Sequence, residues 1–297
     1  MSVEPDWIAV DWGTSNLRVW AMSSADTVLA EASSDKGMGG LDKSEFEPAL
    51  RELIDDWLVK SPLILCCGMV GARQGWAEAG YLSVPCEPLS GTPSKASSEL
   101  DVRILPGLKQ TAPPDVMRGE ETQIAGFQAL NPGWDGVLCL PGSHTKWVEI
   151  SAGEIVSFQT FLTGELFASL SEHTVLRHTV VADGVDDEAF ASAVSDAIAR
   201  PERLASGLFA LRAAHLLEDL SPKRARARLS GLLIGAELAA ARPYWLGRAV
   251  AVIGAGGLSR LYTAALAAQG VPAIQADATR MTLAGLTKAR NQLRVAS

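Results

Sequence analysis

Trp7-Ile8-Ala9-Val10-Asp11-Trp12-Gly13-Thr14-Ser15-Asn16-Leu17-Arg18-Val19-Trp20 is the stretch whose reading decides the fold. An apolar run ends in a carboxylate, small polar residues follow, and a second apolar run begins, which is the pattern of a β-hairpin with a chemically active turn. Gly13 lets the backbone approach a ligand or take positive φ, while Thr14, Ser15 and Asn16 bring amides and short donors that can surround phosphate oxygens. Asp11 would repel a bare phosphate. It makes sense with Mg2+ between the two, because Mg2+ takes one or two carboxylates and keeps much of its water. The plainer alternative is an ordinary hairpin whose Asp and Asn stabilise the turn.

The second half repeats this pattern. Val137-Leu138-Cys139-Leu140-Pro141-Gly142-Ser143-His144-Thr145-Lys146-Trp147-Val148-Glu149-Ile150 is again strand, small polar turn, strand, and Ile155 to Phe161 supplies a third strand. A second phosphate-type turn at the start of a second half points to a duplicated architecture, with one loop from each half gripping one nucleotide. Lys146 is placed to meet phosphate charge. His144 reads as a turn donor rather than a metal ligand, since the chain has 4 histidines and none at ligand spacing. Thr163-Gly164-Glu165 opens a helix with Thr163 as N-cap and its polar groups toward a cleft. Asn131 to Gly136 has linker composition, which divides the chain into residues 1–133 and 134–297, the terminal helix being free to return to the first domain.

Composition bounds the rest. With 297 residues, 47% hydrophobic and 20% charged, the chain has length for about two domains and no apolar segment long enough to span a membrane. A net charge of −8 argues against nucleic acid or an anionic membrane as partner. Cys66, Cys67, Cys86 and Cys139 lack metal-ligand spacing and read as reduced thiols. The acidic start from Met1 to Asp6 is unlike a signal peptide, so a cytoplasmic location is expected.

Between the two turns lie the parts that would recognise a second substrate. Thr27 to Ser33 reads as a strand and Lys36 to Gly40 as a loop. A helix follows, with Ser44 and Glu47 at capping-box spacing and an apolar stripe from Phe46 to Leu58. Leu63 to Cys67 is a short buried strand. From its end runs Gly68-Met69-Val70-Gly71-Ala72-Arg73-Gln74-Gly75-Trp76, at the edge where α/β sheets hold ligands. Its glycines, Arg73, Gln74 and Trp76 suit a polyhydroxylated anion, with Arg73 forking onto a carboxylate and Trp76 covering a sugar-like face; the alternative is a surface loop with a structural Trp. Asp101 to Pro106 reads as a strand and Gln110 to Pro114 as a loop. Arg118-Gly119-Glu120-Glu121-Thr122 then enters a helix. Two acids there complement the helix dipole or, alternatively, supply a general base for a substrate hydroxyl.

Residues from Glu188 to Arg242 are mostly helical, and the basic run Lys223, Arg224, Arg226 and Arg228 reads as a solvated face. Gly254-Ala255-Gly256-Gly257 is a strand-to-helix turn that lets backbone approach a nucleotide, although it is not a Rossmann fingerprint. Thr279 to Arg294 is a terminal helix.

Three such turns in the order hairpin, hairpin, strand-to-helix resemble the sugar kinase, heat-shock ATPase and actin superfamily. VDWGTSNLRVW (Val10 to Trp20), GMVGARQGW (Gly68 to Trp76), RGEETQIAGF (Arg118 to Phe127), LPGSHTKWV (Leu140 to Val148), FLTGE (Phe161 to Glu165) and GAGGLSRLYTAAL (Gly254 to Leu266) resemble the 2-dehydro-3-deoxygalactonokinase family over nearly the full length. The resemblance implies an α/β fold of two ribonuclease-H-like domains with a nucleotide cleft between them, as in the actin-like ATPases. The first domain would bind the sugar acid and the second the nucleotide.

The implied reaction is ATP-dependent phosphorylation of the 6-hydroxyl of 2-dehydro-3-deoxy-D-galactonate. The alternatives are a kinase for a related acid such as 2-dehydro-3-deoxygluconate, or a nucleotide-responsive sugar-binding regulator. Asp11 corresponds to the metal-associated acid. Gly13 to Asn16 and Arg18, Gly142 to Lys146 and Gly254 to Gly257 would hold ATP. Gly68, Met69, Arg73, Gln74, Trp76, Arg118, Thr163 and Glu165 would face the sugar acid. Glu120 matches the catalytic base, a position more often Asp in related sugar kinases, with Glu121 as its rival. A homodimer through an apolar face of the late helices is a further expectation.

Overall fold

The structure, a computed structural model, describes residues 3–296; Met1, Ser2, Ser297 and the side chain of Ala296 lie outside the described residues, as does the first part of the acidic start. The chain forms two compact units. The first comprises Met1–Trp134, Ser151–Ser157 and Ala278–Ser297, the second Asp135–Ile150 and Phe158–Asp277.

In the first unit, strands β1 (Trp7–Trp12), β2 (Leu17–Met22), β3 (Val28–Ser34), β4 (Leu63–Cys67), β6 (Ser94–Lys95) and β7 (Val102–Ile104) form a sheet in the order β3-β2-β1-β4-β7-β6. The hairpin pairs antiparallel with Asp11 opposite Arg18, and β1 pairs in parallel with β4. Alternation along β1 explains why both faces are covered. Ile8, Val10 and Trp12 pack with Phe46 and Leu50 of helix α1 (Phe46–Ile54), whereas Trp7 and Ala9 pack with Ala125 of α2 (Glu120–Leu130) and Leu286 of α9 (Ala278–Ala296). The C-terminal helix thus belongs to the first unit.

Two local expectations change. No side chain caps α1: its N-cap is Glu45, whose carboxylate accepts the Asp42 amide at 2.7 Å, so Ser44 and Glu47 form no capping box. Glu47 instead accepts from Arg51 at 2.9 Å, and Trp57 and Leu58 lie in a separate 3-10 turn, Asp55–Lys60. The expected loop from Gln110 to Pro114 is a tight hairpin between β8 (Gly107–Thr111) and β9 (Pro114–Met117), which with β5 (Tyr81–Ser83) makes a small sheet.

The second unit repeats the core order. Strands β10 (Gly136–Leu140), β11 (Thr145–Ser151), β12 (Glu154–Phe161), β13 (Val250–Gly254) and β14 (Ala273–Asp277) lie as β12-β11-β10-β13-β14, again an antiparallel hairpin continued by parallel strands. In both units the first strand of the hairpin is central and the fourth and fifth strands lie beyond it, the ribonuclease-H-like order. The fold is that of the actin-like ATPases and sugar kinases. Helices α3 (Thr163–His173), α4 (Asp187–Ala199), α5 (Leu204–Leu217), α6 (Pro222–Ala240), α7 (Arg242–Trp245) and α8 (Gly256–Ala268) complete the unit. Of the basic run on α6, Lys223 and Arg224 are exposed, but Arg226 lies over the Phe167 ring at 4.8 Å and Arg228 is half-buried, so the solvated-face reading holds only for its first turn. Among the described residues no helix is long and apolar enough to cross a membrane.

Candidate active site

The first turn leaves β1 with its polar residues outward: Thr14, Ser15 and Asn16 are exposed, between buried Trp12 and Leu17. Its carbonyls are held from behind. The amides of Met38 and Gly39 donate to Gly13 O (3.0 Å) and Thr14 O (2.9 Å), and a Cβ on Gly37 would stand 2.2 Å from Thr14 O. With those carbonyls turned inward, the outer face is left to amides and side-chain hydroxyls. Asp11 is ion-paired through Oδ2 with Arg18, whose Nη1 also donates to Thr279 Oγ1 at 3.2 Å.

Three chain segments converge beside Asp11. Gly68, at the end of β4, takes φ +94°, and a Cβ there would lie 2.6 Å from Trp12 O and 3.4 Å from Asp11 Oδ1. Gly119 takes φ +106°, and its Cβ would lie 3.2 Å from Gly68 Cα. The start of α2 is thereby brought against the carboxylate end of the first hairpin. Glu120 there is half-buried and accepts the Arg118 amide at 3.1 Å.

Glu121 faces the other way. It is fully buried, and its carboxylate closes back on the Gly119 amide at 2.7 and 2.9 Å. Burial, reinforced by the Glu120 charge, pushes its carboxyl up to about 7, against the pull of the Gly119 amide and Arg118. That value suits a general base, but a base must touch the proton it removes. Glu121 is sealed away from solvent, with its carboxylate spent on the Gly119 amide, whereas Glu120 is only half-buried.

The expected sugar-acid residues of this unit divide. Arg73 and Gln74 are exposed, with Arg73 3.5 Å from Glu78, and Met69 is half-buried. Trp76 is not a ligand platform: it is buried, stacked on Phe46 at 6.1 Å and 15° and edge-on to Trp12. Arg118 also turns inward. Its Nη2 donates to Ala79 O at 2.6 Å and its guanidinium lies 4.3 Å over the Tyr81 ring, while its Nε and Nη1 are buried with no hydrogen-bond partner among the described residues.

The second turn has the same backing. The Glu165 amide donates to Ser143 O at 3.0 Å, and a Cβ on Gly164 would stand 2.3 Å from Gly142 O. Ser143 and His144 are exposed, and His144 Nε2 is 2.6 Å from Glu165 Oε2, which places Glu165 on the turn itself. Lys146 is buried. Thr145 and Thr163 are buried and committed inward, Thr145 to Tyr262 at 3.0 Å and Thr163 to Glu237. The N-cap of α3 is Leu162 rather than Thr163. A cavity of about 470 Å³ opens beside the turn, lined by Gly142, Ser143, Phe167, Ile234 and Leu258 among others. The third turn is as expected, with Gly254 ending β13 and exposed Ala255, Gly256 and Gly257 starting α8.

Cys66, Cys67, Cys86 and Cys139 are free, burial pushing each thiol up. Among the described residues no group of three His, Cys, Asp or Glu gathers as a metal site. One carboxylate completed by water and phosphate is still a donor set that suits Mg2+, and Asp11 is such a carboxylate.

Comparison with known proteins decides the family. The model of the 2-keto-3-deoxy-galactonokinase family matches residues 11–289. The chain belongs to that family. It is 41% identical over 95% of its length to the probable 2-dehydro-3-deoxygalactonokinase of Rhizobium meliloti (strain 1021), covering 96% of that protein. It is 34% identical to the 2-dehydro-3-deoxygalactonokinase of Escherichia coli (strain K12), over 91% of this chain and 93% of that one. A crystal structure of a candidate 2-dehydro-3-deoxygalactonokinase from Sinorhizobium meliloti superposes with a TM-score of 0.91 at 40% identity, covering 97% of this chain and 96% of that chain. In this 2-keto-3-deoxy-galactonokinase family member, sequence reasoning missed Gly37, Phe167 and Glu237. Gly37 stood in plain view within a flexible loop, but only its approach to Thr14 reveals its use.

Proposed function

We propose that this chain transfers the terminal phosphoryl group of ATP to the 6-hydroxyl of 2-dehydro-3-deoxy-D-galactonate. The observation that carries the mechanism is the convergence of Asp11, Gly68 and Gly119, which sets a half-buried Glu120 beside the carboxylate end of the first phosphate turn. Glu120 is the base: its carboxylate takes the hydroxyl proton as that oxygen attacks phosphorus. Asp11 would hold Mg2+, which supplies charge neutralisation to the phosphates. The exposed donors of Gly13 to Asn16 and of Gly142 to His144 orient the phosphates, and orientation with charge stabilisation is most of what phosphoryl transfer needs.

In this reading the first unit binds the sugar acid through the Gly68 to Gln74 segment, and the second binds the nucleotide. The apolar cavity suits a base and ribose, with the Gly254 to Gly257 turn nearby in sequence to α8. Exposed Phe209, Leu216 and Leu217 on α5 support a homodimer, which sedimentation measures. A cytoplasmic location agrees with free thiols.

The test is product formation with ATP and Mg2+ on a panel of 2-keto-3-deoxy sugar acids. Phosphorylation at the 6-position of the galactonate epimer, ahead of the gluconate epimer, is expected. Turnover confined to another acid would change the substrate, and nucleotide binding without turnover on any of them would make the protein a regulator.

A further inference from the structure

Glu237 of α6 is 3% exposed, yet it accepts hydrogen bonds from three different elements. Trp147 Nε1 of β11 donates to Oε1 at 2.7 Å; Tyr262 Oη of α8 donates to Oε2 at 2.7 Å; Thr163 Oγ1, opening α3, also donates to Oε2. The directions are fixed by valence. An indole nitrogen only donates, and with the Tyr262 proton spent on Glu237 the Tyr262 oxygen must accept from Thr145, 3.0 Å away.

A buried carboxylate is costly unless its lone pairs are satisfied, and an apolar side chain would fill the same space at less cost. What the carboxylate adds is a single geometry for the groups that donate to it. Those groups are not scattered. Thr145 and Trp147 carry the second turn into β11, and Thr163 starts the helix whose Glu165 amide donates to Ser143 O and whose Gly164 packs against Gly142 O. Thr163 and Tyr262 also line the cavity beside that turn, with Glu237 behind them.

We propose that Glu237 is a positioning residue for the nucleotide: it fixes the second phosphate turn, the start of α3 and the α8 wall of the cavity as one piece. This rests on the nucleotide reading of the second unit. Nucleotide affinity and phosphoryl transfer depend on it, and sugar-acid affinity does not.

Glu237→Gln keeps volume and the acceptor for Trp147, but its amide donates where Oε2 accepted. The hydroxyls of Thr163 and Tyr262 must then reverse. In folded Glu237→Gln protein, the ADP dissociation constant from calorimetry should rise about tenfold, a loss on the scale of one or two hydrogen bonds. The KM for the sugar acid should stay within about twofold of wild type, at which level no hydrogen bond has been lost. A merely structural carboxylate would lower the thermal midpoint and leave the ADP affinity of the folded protein at the wild-type value, which overturns the proposal.

Should Glu237→Gln not fold, Tyr262→Phe and Thr163→Val each remove one donor. A roughly threefold or greater rise in the ADP constant, with sugar-acid KM unchanged, is then expected; wild-type ADP affinity in both overturns the proposal. Wild-type protein without ADP affinity would instead overturn the nucleotide reading itself.

Discussion

The two hairpin turns are built alike at the backbone and differ in where their charge lies. In each, inward carbonyls are held by a neighbouring segment whose glycine approaches too closely for a side chain: Gly37 against Thr14 O, Gly164 against Gly142 O, with Cβ distances of 2.2 and 2.3 Å. The first turn carries its carboxylate on the hairpin, Asp11 paired with Arg18. The second has no acid between Leu140 and Lys146: Glu165 reaches that turn from α3 through His144, and the buried carboxylate of Glu237 sits behind the strand on α6. The two units thus share a backbone scaffold and differ in where its nearest carboxylates stand.

The comparison breaks first at Asp11. Asp11→Asn keeps the size of the side chain and should leave the fold intact while lowering turnover by about 10²–10³-fold, the scale of losing one electrostatic contact to a transition state. Steady-state kinetics on purified variant, with circular dichroism for the fold, measures this; near-normal turnover would remove the difference between the two turns. Glu120→Gln should lower turnover by about 10²-fold or more, as for loss of a general base, with ADP affinity unchanged. If Glu121→Gln alone does so, the base has been misassigned.

The shared scaffold is tested by its glycines. Gly37→Ala and Gly164→Ala each force a methyl against a backbone carbonyl, which should cost about 1–3 kcal/mol by denaturant unfolding. Both should also raise the KM for ATP several-fold, since each displaces a phosphate turn. An effect in one turn only would show that the likeness stops at the backbone trace.

How much of this was legible follows from how local each feature is. The hairpins, the third turn and the duplicated plan are written in short runs of residues, and the structure has them at the expected places. Trp76 read equally as sugar platform or core residue, because an indole in a Gly-rich loop serves both; only its stack on Phe46 decides. Ser44 had the spacing of a cap, but the chain enters α1 one residue later than a cap there requires. Gly37, Gly164 and Glu237 act through partners distant in sequence, and no local pattern could have marked them.

Glu120 and Glu121 are the sharpest case, since neighbours on a helix start point about 100° apart and sequence alone does not say which points out. Glu121 gives the clearest sign. Its carboxyl rises from an ordinary value of 4.5 to about 7 in the folded protein, chiefly through burial. A folded value above the unfolded one contributes stability that is complete below the unfolded value and lost as pH rises through the folded one. Wild type should therefore lose up to about 3 kcal/mol relative to Glu121→Gln between pH 4.5 and pH 8, since Gln does not titrate. Urea unfolding of both proteins at the two pH values measures the difference. If it is the same at both, the Glu121 carboxyl titrates as an exposed one does, is not sealed by the Gly119 amide, and again competes with Glu120 for the substrate proton.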